Sequence, residues 1–212
     1  MTKLNCFKHE LREHLPYTIF AVSIGIIIIG LLSFIAGLHT YAAHSFHDLY
    51  HIFHPLHLLF SASATTAMYL KYEKSLIKAL LIALVGTIGV CGLSDIILPY
   101  AACYLLGITP ELHICFIQHP VLVAPFIVTG IFLGFLACPH THKSTIFAHA
   151  SHVLVSSMAS ILYLVSFGLT HWMHDIGLVF IFVVISVIIP CCSSDIILPL
   201  MISKQRGKTL CT

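Results

Sequence analysis

All ten lysines and arginines of this chain fall into four short segments, and long apolar stretches fill the space between them. The basic residues are Lys3, Lys8 and Arg12; Lys71, Lys74 and Lys78; Lys143; and Lys204, Arg206 and Lys208. The apolar stretches run approximately over 17–37, 52–70, 79–105, 118–138, 146–168 and 176–202. A helix crossing a bilayer needs about 20 apolar residues, so the pattern predicts six spans. With six spans, every basic segment lies on one side. The three other loops, near 38–51, 106–117 and 169–175, carry no Lys or Arg. By the positive-inside rule both termini are expected in the cytoplasm of a multi-pass cell-membrane protein. An odd number of spans would scatter the charges over both sides.

Composition closes the other options. Hydrophobic residues make up 58% of the chain and charged residues 8%, with mean hydropathy +1.00. A soluble domain carries roughly 25% charged residues. The polar start, MTKLNCFKHELREHLP, reads as a cytoplasmic segment over 1–16 and not as a cleaved leader. The eight cysteines mostly lie in or beside apolar stretches, which speaks against a disulfide framework.

The segment SDIILP occurs at 94–99 and again at 194–199, each time behind a cysteine: CGLSDIILP and CCSSDIILP. A second motif, His-x-x-His-x-x-x-Ser, precedes each copy, as HPLHLLFS at 54–61 and HASHVLVS at 149–156. Residues 17–107 and 118–207 therefore read as two copies of one three-span unit. A three-span unit repeated in tandem enters the membrane from opposite sides. The expected fold is all-α, six transmembrane helices in two inverted-topology repeats, an arrangement used by secondary transporters.

Polar groups are costly inside a bilayer and mark function when they recur. Asp95 and Asp195 are the only carboxylates deep in the spans, at equivalent positions of the two copies. Pro99 and Pro199 follow each by four residues, so helices 3 and 6 are expected to break or kink there. His54, His57 and Ser61 share one helix face by their spacing, as do His149, His152 and Ser156. Two imidazoles at that spacing, with a carboxylate from a neighbouring helix, give three ligands for one ion. The candidate metal ligands are His54, His57, Asp95, His149, His152 and Asp195, with His47, His51, Ser61, Ser156, Cys91 and Cys191 as additional candidates. They make either two equivalent sites stepped along a pathway or one binuclear centre. Nitrogen-rich ligands suit Zn, Fe, Co, Ni or Mn, and not Ca or Mg. His39, His44, His47, Asp48, His113, His119, His171 and His174 add a histidine-rich mouth on the side without Lys or Arg. Gly130 and Gly134 form a GxxxG pair suited to close helix packing.

These features predict a transporter for a divalent transition metal ion, with possible proton coupling, and no enzymatic activity. The alternatives are a metal-dependent membrane enzyme, a lipid hydrolase or di-iron oxidase, and a bis-histidine haem electron carrier. The expected partners are the lipid bilayer and the ion itself, with a homodimer open and no nucleic acid.

Overall fold

The computed structural model of the chain describes residues 3–37, 42–137, 142–169 and 172–192, and these contain helices and no strand. The long helices are α1 (Lys3–Gly37), α2 (Ala42–Tyr72), α6 (Pro120–Ala137), α7 (His142–Phe167) and α8 (Ile176–Cys192). Between α2 and α6 one helical rod is built end to end. It comprises α3 (Leu76–Val85), π-helical turns over Gly86–Cys91 and Leu93–Ile97, and α4 (Leu98–Leu105). The short α5 (Cys115–Gln118) leads into α6. Each predicted span overlaps one of these helices or the rod. Three stretches are long and apolar enough to cross a membrane: Leu11–Ile35, Leu76–Leu105 and Pro120–Ala137. Ser151–Phe167 and Ile176–Cys191 are shorter apolar helices. The histidines, serines and threonines of α2 lower its hydropathy, although its 31 residues extend about 46 Å at the helical rise.

At Pro99 the rod does not break. Pro99 sits in the first turn of α4, and the irregularity lies upstream in the π-helical turns around Asp95. These widened turns accommodate the lost donor without stopping the helix. The second SDIILP copy, with Asp195 and Pro199, lies outside the described residues.

The interior combines an apolar core with a cluster of buried polar side chains, and the outer surface is apolar. The interior faces of α2 and α7 carry His54, His57, Ser61, Thr65, His152, Ser156, Ser157 and Ser160, all buried. Large apolar side chains point outward, among them Phe20, Ile27, Phe34, Ile77, Val121 and Phe132, with Val121 86% exposed. In water so large an apolar surface would be unfavourable; in hydrocarbon it is the expected outer face. The protein is thus an all-helical chain with membrane-spanning character.

The central helix α2 packs against α6 on one side and α7 on the other, and α1 covers α7 and α8. Close approach of α2 and α6 depends on the two glycines. A Cβ at Gly134 would lie 2.6 Å from Thr66 Cβ and 2.7 Å from the Ser63 carbonyl oxygen, and one at Gly130 would meet the Leu59 carbonyl oxygen. The obstacle at Gly130 is backbone, which cannot rotate away. Gly130→Val is expected to push α6 off α2 and cost about 1–3 kcal/mol, as overpacking does. Thermal unfolding in detergent would show it as a lowered midpoint.

Candidate metal centre

The first SDIILP copy brings Asp95 into the bundle beside α2. Asp95 is fully buried. Its Oδ2 accepts from His54 Nδ1 at 2.9 Å and from His57 Nδ1 at 2.6 Å. Its Oδ1 accepts from Ser94 Oγ at 2.8 Å and from Ser156 Oγ at 3.3 Å. The Ser94 hydroxyl also has the Cys91 carbonyl at 2.9 Å, so its single hydrogen is shared between two acceptors. An ionised carboxylate offers about four lone-pair sites, and four donors surround this one. That answers how a charge survives here: burial is offset by hydrogen bonds from every side. It also leaves Asp95 no lone pair directed at an ion.

Because the carboxylate is an acceptor, both histidines present Nδ1–H to it, which leaves the Nε2 of each with its lone pair free of the carboxylate. His57 Nε2 lies 2.6 Å from His152 Nε2, contributed by α7. Two imidazole lone pairs repel at that distance. A proton or a cation must lie between them. Cys191 Sγ, near the end of α8, is 3.9 Å from His57 Nε2 and 3.5 Å from Ser156 Oγ. The ligand atoms of His57, His152 and Cys191 all lie within 4.8 Å of one another, and all three residues are buried. Behind them stands Asp95, holding the far nitrogen of His57. A carboxylate that fixes the tautomer and ring orientation of a ligating histidine is the usual outer partner of a metal site.

Zn–N bonds of about 2.0–2.1 Å at a tetrahedral angle separate two ligand nitrogens by roughly 3.3 Å. Holding an ion therefore moves the His57 and His152 rings apart by a fraction of an ångström. The set is two imidazoles and one cysteine sulfur.

The structure distributes the remaining candidates differently from a simple His-His-Asp site. His54 shares Asp95 with His57 and stacks on Tyr50, ring centroids 5.4 Å apart at 11°. Its Nε2 is buried with no hydrogen-bond partner among the described residues. Ser61 is buried on α2, and Cys91 is buried in the rod. Ser156 joins the centre as the link between Cys191 and Asp95. Ser160, which the spacing did not single out, donates to the Ser94 carbonyl at 3.1 Å and ties α7 to the π-helical turn. His149 falls within α7.

His47 and His51 do not reach the centre. They lie nearer the start of α2, with His113 from the 106–114 segment. Burial, reinforced by His51, His119 and His47, pushes His113 down to about 4, so it is a neutral imidazole at physiological pH.

Comparison with known proteins gives no match: no family model fits the sequence, and no curated protein or solved structure is similar to it.

Proposed function

We propose that this protein is a membrane transporter for a divalent transition metal ion, bound by His57, His152 and Cys191 with Asp95 as the orienting carboxylate. The observation that carries the reading is the pairing of His57 with His152. They hold the same place in the two sequence copies, each the second histidine of its His-x-x-His-x-x-x-Ser motif. Their meeting at 2.6 Å in the buried middle of the bundle is what two halves of one inverted repeat would produce at their shared axis. An ion held there is exposed to either side by rocking one half against the other. The charge distribution supports both termini on the cytoplasmic face.

Two imidazoles and a thiolate favour Zn, Co, Ni or Fe over Mn, which prefers oxygen. Cys191 binds metal as a thiolate, so ion binding releases a proton. Ser156 bridges Cys191 to Asp95 and gives that proton a hydrogen-bonded acceptor route, which supports metal–proton exchange. A bis-histidine haem is disfavoured, because nitrogens 2.6 Å apart leave no slot for a macrocycle between them.

The test is flux. Protein in liposomes loaded with a zinc-sensitive dye and a pH dye should admit Zn²⁺ well above the rate of protein-free vesicles, with proton movement in the opposite direction. Stoichiometric Zn²⁺ binding without flux would reject transport and leave a metal-dependent membrane enzyme, for which a three-ligand site is also suited.

A further inference from the structure

A second cluster of imidazoles lies at the loop end of the bundle where α2 begins. His47 and His51 come from α2, His113 from the segment that follows α4, and His119 from the turn before α6. The ligand atoms of His47, His51 and His113 lie within 4.8 Å of one another. His51 Nδ1 donates to the His47 carbonyl at 2.8 Å, which commits its Nε2 to the cluster. That Nε2 is 3.1 Å from His113 Nε2. Nitrogens on a tetrahedral ion with bonds of about 2.0–2.1 Å stand roughly 3.3 Å apart, so this pair is already near ligand spacing. His119 completes a ring of imidazoles, with centroids 4.9 Å from His51 and 5.6 Å from His113.

The loop is built to hold this arrangement. Gly107 takes the left-handed conformation, φ 75°, that turns the chain back after α4. The Glu111 N–H then donates to the Phe167 carbonyl at 2.9 Å. The His113 N–H donates to Tyr163 Oη at 3.2 Å, and the His113 ring stacks on Phe167, centroids 4.6 Å apart at 10°. One ligand is therefore fixed by α7 while the others ride on α2. His113 is buried, whereas His47 and His51 are part-exposed and His119 is exposed, so an ion can arrive from water. The loops at this end carry Asp48, Glu111 and Asp175 and no Lys or Arg, so no fixed cation opposes it.

We propose that His47, His51 and His113 form a second transition-metal site, all nitrogen, with His119 beside it, distinct from the thiolate-containing centre at His57, His152 and Cys191. The two are separated along α2, since His51 and His57 are six residues, roughly 9 Å, apart along the helix axis. His54 stands between them, with its buried Nε2. The mouth site binds an ion whether or not the buried centre transports one.

The experiment is metal stoichiometry on the full chain, purified without a histidine tag, stripped with chelator and titrated with Zn²⁺. Wild type should bind two ions per chain, the double variant His51→Ala/His113→Ala one, and His152→Ala one. Zinc X-ray absorption then identifies which ion remains. In His152→Ala the retained ion should show imidazole neighbours and no sulfur; in the double variant it should show sulfur at about 2.3 Å. A double variant that still binds two ions, or a folded His152→Ala chain that binds none or whose ion has a sulfur neighbour, overturns the mouth site. If the double variant does not fold, the absorption spectrum of His152→Ala decides alone. Wild-type zinc that lacks any sulfur neighbour, with the all-nitrogen ion retained in His152→Ala, would overturn the buried centre and leave the mouth site standing.

Discussion

His152→Ala should abolish zinc flux and lower affinity at the buried centre more than about 100-fold. Loss of a mere orienting partner costs roughly 10–100-fold in metal sites, and a ligand contributes more than its orienter. The variant should still fold. Removing the imidazole leaves His57 Nε2 without its neighbour, a cost of about 1–3 kcal/mol. His57→Ala removes an equivalent ligand but has a second consequence. It also strips the fully buried Asp95 of its shortest hydrogen bond, 2.6 Å, and losing a hydrogen bond to a charged group adds about 1.5–3 kcal/mol. The two alanine variants should therefore be alike in flux and different in stability. Thermal melts with and without zinc separate these effects. At free zinc of 100 times Kd the wild type gains about 2.7 kcal/mol from that site, and neither variant should gain it there. Equal flux in wild type and His152→Ala would remove His152 from the transport path.

Asp95→Asn should weaken the ion at the buried centre by about 10–100-fold without changing how many ions bind. This outcome separates an orienting residue from a ligand. Asp95 spends its acceptor sites on His54, His57, Ser94 and Ser156, and asparagine keeps the shape but loses the charge and one acceptor. The His57 ring is then less firmly held in the tautomer that points Nε2 at the ion. Cobalt substitution gives the readout. Its thiolate charge-transfer band reports Cys191 on the metal, and it should persist at saturating cobalt in Asp95→Asn. It should vanish in Cys191→Ser. Loss of the bound ion at every cobalt concentration in Asp95→Asn would make the carboxylate a direct ligand.

Much of this architecture was legible in the sequence. The helical stretches sit where apolar runs of spanning length predicted them, because helix formation in hydrocarbon is forced by the backbone's need for internal hydrogen bonds. The interest of Asp95, His54, His57, His152 and Cys191 was visible from two coincident motifs. Their assignment to roles was not. Spacing suggested that His54 and His57 would join Asp95 on one ion. In the structure both histidines turn Nδ1 to that carboxylate, and the facing nitrogens belong to His57 and His152, 95 positions apart in the chain. Cys191 was one of six additional candidates until α8 set it beside Ser156 and His57. Of the break or kink expected at Pro99, the structure shows no break, and it places Pro99 in the first turn of α4 behind two π-helical turns.

The sequence by itself determined the helices, the recurrence of one motif set and the face of α2 that carries histidines, because those depend on local spacing of 1.5 Å and about 100° per residue. Only the tertiary structure decided which ring meets which. That depends on how far each helix is rotated and how closely its neighbours approach. Those two quantities are set by Gly130 and Gly134 under α2, by the widened turns around Asp95, and by the Ser160 bond that anchors α7 to them. A rotation of one helix by a single residue would turn His152 away from His57 while leaving every sequence pattern unchanged.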